Sequence, residues 1–138
     1  MSAEFSLPLR VYIEDTDAGG IVYYVNYLKF MERARTEFMR SLGYGKHYIF
    51  TKELMFVVSD ARIHYRSPAR LDDEILATAA LTRLRGASML FHQRVLRAGA
   101  TLVEADITVA CVASNSLRPQ RIPLALAERL AACVHQPD

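Results

Sequence analysis

The sequence has little cysteine: only Cys111 and Cys133 occur among its 138 residues. Two thiols exclude the disulfide framework of a small secreted domain, which needs several cysteine pairs. Cys111 lies in the apolar run Val109 to Val112, where a cysteine usually packs as a small hydrophobic side chain. The thiols are therefore predicted to be reduced, which is typical of a cytoplasmic protein.

Long hydrophobic runs are also missing. No apolar stretch approaches the roughly 18 residues that a membrane-spanning helix needs. Residues Met1 to Phe5 include Glu4 and lack the basic and then apolar pattern of an export signal. We therefore predict no membrane span and a cytoplasmic, unexported chain.

Neither sign of charge is in large excess, because 17 lysines and arginines stand against 15 aspartates and glutamates, giving a net charge of +2. The two signs are interspersed, without the basic block or basic face that indicates nucleic-acid binding. The four histidines are dispersed without metal-ligand spacing, and no Gly-x-Ser-x-Gly elbow is present. We predict no nucleic-acid partner, no metal and no serine nucleophile.

The length and the mixed composition predict a single domain spanning residues 1–138. Runs with strand character indicate one strand near the N-terminus and four more in the second half of the chain. The five predicted strands are Leu7 to Glu14, Phe56 to Tyr65, Ile75 to Arg85, Met89 to Arg97 and Leu102 to Ala113. Short breaks at Gly86 and Gly99 predict antiparallel neighbours in a meander-like sheet, with a longer link around Pro68.

A long amphipathic helix is predicted from about Tyr24 to Leu42, followed by a short segment from His47 to Glu53. Its apolar residues recur at helical spacing, at Tyr27, Met31, Ala34, Phe38 and Leu42. Gly43 and Gly45 come next, where a glycine commonly ends a helix.

A second, short helix is predicted from Leu124 to Val134, introduced by Pro119 and Pro123. The order of elements is that of an α+β fold, in which one antiparallel sheet covers one long helix. Such a sheet has unpaired edges, so a homodimer or a dimer of dimers is expected.

The most concentrated chemical signal is the loop Glu14 to Gly20, which contains Asp15 and Asp17 just before the long helix. Amides at the helix start, around Ile21 to Tyr24, can polarise a carbonyl oxygen while a nearby carboxylate attacks it or activates water. Thioester hydrolysis needs little more. The alternative is that the aspartates only form an Asx-turn and cap the helix, and spacing alone favours this structural role.

Two segments carry a family resemblance: RVYIEDTDAGGIVYYVNY at Arg10 to Tyr27, and FMERAR at Phe30 to Arg35. They resemble the signature of the 4-hydroxybenzoyl-CoA thioesterase family, and within it most of all the Tol-Pal-associated acyl-CoA thioesterases. Further matching segments are FVV at Phe56 to Val58, YRSPARLDD at Tyr65 to Asp73, and RLRGAS at Arg83 to Ser88. The resemblance therefore covers nearly the whole chain.

The resemblance implies a hotdog fold, in which a curved five-stranded antiparallel sheet wraps one long central helix. It also implies an acyl-CoA substrate, a homotetramer of paired dimers, an active site between subunits, and no cofactor or metal. Asp17 matches the family's catalytic aspartate, and the amide of Tyr24 is expected to help hold the thioester carbonyl. Many Tol-Pal-associated members have a histidine where this chain has Tyr24, so a mechanism that needs this histidine is not carried over.

Further substrate contacts are predicted in two places. Arg85 and Ser88 are expected to contact the phosphates of coenzyme A, with solvated residues at strand ends as the alternative. An acyl tunnel for an aromatic or aliphatic group is expected to be lined by Tyr23, Tyr27, Met31 and Phe56.

Two roles of Asp17 and two classes of function stay open. Asp17 acts either as a nucleophile that forms a mixed anhydride or as a general base that activates water. The alternative to an enzyme is a non-catalytic hotdog module that binds acyl carrier protein or envelope-assembly proteins, although such a module has no physical need of Asp17. A hotdog dehydratase would need a histidine near the helix, and the stretch from Asp15 to Leu42 has none.

Overall fold

The computed structural model of the protein describes residues 4–44 and 53–135. The strands are β1 (Phe5–Arg10), β2 (Leu54–Tyr65), β3 (Glu74–Leu84), β4 (Ser88–Arg97) and β5 (Ala100–Ala113). They form one antiparallel sheet in the order β1-β3-β4-β5-β2. The predicted α+β class with a five-stranded antiparallel sheet is confirmed.

The long helix, α1, spans Asn26–Ser41 and packs on β1, β3 and β4. The ring of Phe38 meets the ring of Phe91 with 5.7 Å between centroids, which joins the helix to β4 inside the core. Of the apolar stripe of residues that predicted the helix, Tyr27, Met31, Ala34 and Phe38 are buried, whereas Leu42, which follows the last helical residue, is half-buried. Phe30 is buried with them. Burial of this stripe, more than helix propensity, holds α1 in place.

Both ends of α1 differ slightly from the prediction. Tyr24 and Val25 form a turn, so the helix begins two residues after the predicted Tyr24. At the other end Gly43 has a φ of 89°, a left-handed conformation that glycine adopts without strain, which agrees with the predicted stop. Gly45 and residues 47–52 of the predicted segment that ends at Glu53 lie outside the described residues.

The second helix, α2, spans Leu124–Ala131 and is three residues shorter than predicted. It buries Leu126 and Leu130 against the core. Neither α1 nor α2, the two helices of the described ranges, has the length and apolarity needed to cross a bilayer.

The sheet is a meander only in part. β3, β4 and β5 are antiparallel neighbours in chain order, and Ala98 and Gly99, with φ angles of 49° and 83°, make the tight turn between the last two. β2 pairs with β5 at one edge of the sheet, away from β3. The predicted meander is therefore wrong for β2, because the link around Pro68 carries the chain across the sheet.

β1 ends earlier than predicted. The predicted strand reached Glu14, but the chain leaves the sheet after Arg10 and makes a short 3-10 turn at Ile13–Asp15. The Asp15 carboxylate stabilises this turn by accepting a 2.9 Å hydrogen bond from the amide of Tyr12. The chain is thereby directed away from the sheet and toward the start of α1.

Candidate active site

Residues 15–23 form a small hairpin that carries Asp17, here called the Asp17 hairpin. The amide of Asp17 donates to the carbonyl of Ile21 at 3.0 Å, and the amide of Gly20 donates to the carbonyl of Asp17 at 3.1 Å. The amide of Tyr23 closes the base of the hairpin on the carbonyl of Asp15 at 2.9 Å. Gly20 has a φ of 78°, which explains why a glycine stands at this corner.

Only one of the two carboxylate oxygens of Asp17 accepts a hydrogen bond from the described residues. Oδ1 accepts a 2.8 Å hydrogen bond from the amide of Gly19, which is the predicted Asx-turn. Within residues 4–44 and 53–135, no amide or side chain donates to its second oxygen, Oδ2, and the side chain is exposed. Asp17 does not cap α1. The geometry orients the carboxylate and still leaves one oxygen able to react.

Asp15 has the structural role that was predicted as an alternative for both aspartates. It is only 6% exposed, and its Oδ1 accepts a 2.8 Å hydrogen bond from Nδ2 of Asn26, the first residue of α1. Its Oδ2 binds the amide of Tyr12. Because both oxygens are satisfied, Asp15 fixes the hairpin to the helix and has no oxygen left for chemistry.

The turn before α1 presents the backbone on which the oxyanion prediction depends. In the described part of the chain, nothing accepts a hydrogen bond from the amide of Tyr24, which lies just ahead of the positive end of the α1 dipole. The Tyr24 carbonyl accepts a 3.2 Å hydrogen bond from the hydroxyl of Tyr65, at the end of β2. The Tyr24 ring is exposed and contacts the rings of Tyr23 and Tyr65. The sequence alone does not indicate Tyr65 as a site residue, since only the fold brings β2 to this turn.

The four residues predicted to line an acyl tunnel do not share one cavity in the described residues of the single chain. Tyr27 and Met31 are buried in the core, whereas Tyr23 is exposed beside Tyr24. Phe56 lines an open cavity of about 330 Å³ between α1 and the β2 edge. Their lining role stays a prediction, and the hydroxyl of Tyr27 has a separate contact, to the amide of Ala69 at 2.9 Å.

Arg85 lies at the connection between β3 and β4, and Ser88 is the first residue of β4. The amide of Arg85 donates to the carbonyl of Ser88 at 2.9 Å, so the two predicted phosphate contacts sit on one tight connection. Arg85 lines an open cavity of about 460 Å³ together with Arg121, a residue that was not predicted from the sequence. Hydrogen bonds from Gln120 to Cys111 and from Ile122 to Gly86 hold Arg121 there, and no local pattern indicates it.

Neither a metal site nor a reactive cysteine is supported by the described residues. Across residues 4–44 and 53–135, no three His, Cys, Asp or Glu side chains gather closely enough to hold a metal ion. Cys111 is fully buried, and this burial raises the pKa of its thiol, which keeps it protonated and unreactive.

The chain is similar to known proteins over most of its length. Residues 11–130 match the family described as the Thioesterase-like superfamily. The acyl-CoA thioester hydrolase YbgC of Escherichia coli is 42% identical over 120 residues, which cover 86% of this chain and 90% of that protein. The acyl-CoA thioesterase YbgC of Haemophilus influenzae is also 42% identical, over 86% of this chain and 88% of its own. The crystal structure of a probable thioesterase from Bartonella henselae is 33% identical, superposes with a TM-score of 0.81, and covers 88% of this chain and 100% of that one.

Proposed function

The chain belongs to the thioesterase-like superfamily and is a thioester hydrolase, and we propose that it hydrolyses acyl-CoA with Asp17 as the reacting carboxylate. The family resemblance and the hotdog fold predicted from the sequence are confirmed. One observation supports Asp17 above Asp15, the other aspartate of the loop: the amide of Gly19 orients one oxygen of Asp17, and the other oxygen has no partner among the described residues. Asp15, by contrast, has both oxygens engaged.

Two routes from this carboxylate to products are open. In the first, Oδ2 of Asp17 attacks the thioester carbon, the C–S bond breaks, the coenzyme A thiolate takes up a proton, and water then hydrolyses the mixed anhydride. In the second, Asp17 removes a proton from water as the resulting hydroxide adds to the carbonyl, and it returns that proton to the departing thiolate. Both routes start from an ionised Asp17 and restore it at the end.

The amide of Tyr24 is proposed to stabilise the negative charge that develops on the carbonyl oxygen. Its donor is free among the described residues, and the N-terminus of α1 follows directly. The Tyr65 hydroxyl fixes the peptide that follows Tyr24. The tyrosine ring of Tyr24 has no reacting role in this proposal, since a backbone donor is independent of the side chain.

The coenzyme A end of the substrate is proposed to contact Arg85 and Ser88. Arg121 lines the same cavity as Arg85, so two guanidinium groups are available for phosphate oxygens. Leu124 and Pro123 add apolar surface to this cavity, which suits a nucleotide base beside its phosphates. The acyl group is proposed to lie near Tyr23, Tyr27, Met31 and Phe56.

We further propose a homodimer or homotetramer with the site between subunits. Asp17 and Tyr24 are exposed in the single chain, whereas hydrolytic sites gain from excluding bulk water. The 12-residue β2 forms a sheet edge, and a second copy that pairs there would protect its free backbone groups. A cytoplasmic location, action without a cofactor, an association with the Tol-Pal system, and acyl carrier protein as a second acyl donor belong to the same proposal.

The proposal is tested by the release of free thiol from a panel of short, long and aromatic acyl-CoA thioesters, with acyl carrier protein thioesters alongside. Turnover of at least one acyl-CoA is the expected result, and the panel then identifies the acyl class. No turnover of any member by a folded protein, together with tight binding of acyl carrier protein, would overturn the proposed substrate and favour a binding module.

A further inference from the structure

A second loop supports the Asp17 hairpin from outside. This loop, residues 67–73, is called the support segment. The amide of Val22 donates to the carbonyl of Ala69 at 2.8 Å, and the amide of Leu71 donates to the carbonyl of Gly20 at 3.0 Å. The returning strand of the hairpin therefore lies between the strand that carries Asp17 and the support segment. Any shift of the support segment is transmitted to the hairpin through these hydrogen bonds.

The support segment is itself fixed by α1 and by β4. The hydroxyl of Tyr27, in the first turn of α1, accepts a 2.9 Å hydrogen bond from the amide of Ala69. Nη1 of Arg97, on β4, donates to Oδ2 of Asp73 at 2.7 Å. Tyr27 is 3% exposed and Ala69 is fully buried, so water cannot replace the first contact.

We propose that Tyr27 is a positioning residue for the reaction at Asp17, an inference that rests on the proposed function. The route is short: the Tyr27 hydroxyl holds the amide of Ala69, the carbonyl of Ala69 holds the amide of Val22, and Val22 pairs with Thr16, the neighbour of Asp17.

The residue before Tyr27 holds the other strand of the hairpin. Asn26 donates to the buried carboxylate of Asp15 at the hairpin base. The first turn of α1 thus contacts one hairpin strand directly and reaches the other through the support segment. Because the amide of Tyr24 leads into the same helix, this arrangement fixes the carboxylate and the oxyanion donor relative to each other.

The role of the Tyr27 hydroxyl is separable from that of its ring. Burial raises the pKa of Tyr27, so the hydroxyl stays neutral at working pH and accepts the hydrogen bond as a phenol. Replacing it by phenylalanine keeps the packed ring and leaves the buried amide of Ala69 without a partner. A residue that only lined the acyl site would change KM and chain-length preference, whereas a positioning residue changes kcat.

The test is a double-mutant cycle of Tyr27→Phe with Asp17→Asn, measured as kcat and KM for the best acyl-CoA of the panel. In the native background we expect Tyr27→Phe to lower kcat about 10- to 100-fold with little change in KM. In the Asp17→Asn background we expect the same change to have almost no effect, because no carboxylate remains to be positioned. The matched control is Tyr44→Phe, which deletes a hydroxyl just beyond the opposite end of α1 and should leave kcat unchanged.

Two results would overturn the inference. One is an equal loss in both backgrounds, which indicates a general structural role, and the other is native kcat in Tyr27→Phe. If Asp17→Asn itself kept full activity, the proposed function would fail instead. Arg97→Gln, which loosens the far end of the support segment without entering the core, provides a second variant if Tyr27→Phe does not fold. It should lower kcat in the native background and leave kcat of Asp17→Asn unchanged, and an equal loss in both would again refute the inference.

Discussion

Gly19 donates a 2.8 Å hydrogen bond to Oδ1 of Asp17 across one intervening residue. A Cβ atom added at Gly19 would lie 3.3 Å from that same oxygen, which is closer than a side chain normally approaches. The glycine therefore acts on the carboxylate twice, through its amide and through the space that it leaves open. Oδ1 of Asp17 therefore has the structural role of holding the turn, and Oδ2 is left for the proposed chemical role.

Replacing Asp17 by asparagine tests the chemical role alone. Asparagine keeps an oxygen for the amide of Gly19 but cannot act as a carboxylate, so we expect acyl-CoA hydrolysis to fall about 10²-fold or more. The melting temperature should stay unchanged. The matched control is Asp106→Asn, on β5 and outside both the Asp17 hairpin and the support segment, where the side chain is 54% exposed. Full activity in Asp17→Asn would make this residue a turn former only.

Gly19→Ala should lower kcat with little effect on stability, whereas Gly20→Ala should mainly lower stability. The new methyl group of Gly19→Ala presses on Oδ1 of Asp17, so we expect kcat to fall while stability changes little. At Gly20, with a φ of 78°, a methyl group meets no atom within 4 Å, but the backbone is strained by about 1–2 kcal/mol. Steady-state kinetics and thermal unfolding of both variants check this. Equal changes of kcat and of melting temperature in the two variants would contradict the proposed role of Gly19 in leaving space for the Asp17 carboxylate.

Tyr24→Phe should be mild. The proposed oxyanion donor is the backbone amide, which the substitution keeps, and the ring remains able to contact Tyr65. We expect kcat/KM to stay close to that of the native enzyme. Losing an oxyanion donor typically costs about 10²- to 10³-fold, so a loss of that size would show that the Tyr24 hydroxyl itself takes part. The measurement is the same thiol-release assay.

Arg85→Ala and Arg121→Ala should raise KM for acyl-CoA and leave kcat nearly unchanged. Both side chains line one cavity, and phosphate contacts there bind ground state and transition state alike. A thioester truncated to its pantetheine part lacks the nucleotide, so its hydrolysis should be insensitive to both substitutions. Arg62→Ala, at a guanidinium 84% exposed on β2, controls for the loss of one positive charge. Equal effects on both substrates would argue against nucleotide contact.

Arg97→Gln should weaken folding at neutral pH but not in acid. Burial alone would raise the pKa of Asp73, but the amide of Arg70 and the guanidinium of Arg97 outweigh it and hold this pKa below its ordinary value of 3.8. A carboxyl with a lowered pKa stabilises the fold above its ordinary pKa, and the stabilisation is lost as the pH falls through the folded value. Both groups are partly in solvent, so we expect about 0.5–1 kcal/mol.

The check on Arg97→Gln is thermal unfolding of both proteins at several pH values from neutral to below 3.8. The difference in unfolding free energy should be constant near neutrality and shrink below that value. A difference that persisted undiminished in acid would mean that Arg97 stabilises the support segment mainly through its 3.4 Å contact with the carbonyl of Pro68.

Local patterns predicted most elements of the fold. The stripe from Tyr27 to Phe38 predicted α1, and Gly43 predicted its end, because helical spacing and left-handed backbone depend on nearby residues only. The position of β2 was not predictable in this way, since pairing with β5 depends on a link whose path the sequence does not reveal. Likewise β1 stops at Arg10 because the Asp15 side chain competes for the backbone of the next turn.

The site residues also differ in whether local sequence could predict them. The stretch from Glu14 to Gly20 predicted the loop that carries Asp17, and spacing alone favoured a structural role for both aspartates, which holds for Asp15. Tyr65 and Arg121 could not be predicted as site residues, because each reaches its place only through contacts with residues distant in the sequence. Tyr27 was predicted as an apolar position of the helix and as a lining residue of the acyl tunnel. Its hydroxyl contact was not predictable, because it depends on a loop that the helical pattern does not contain.

The hydroxyl of Tyr27 and the amide of Ala69 are 42 positions apart in the sequence. Closing a loop of that length costs chain entropy before the contact stabilises anything, so such contacts form late in folding. The Asp17 hairpin consequently reaches its final arrangement only after the support segment, which follows β2 in the chain, has packed against it. A nascent or partly folded molecule would then hold the aspartate without its proper surroundings, and hydrolytic activity would report on the completed fold.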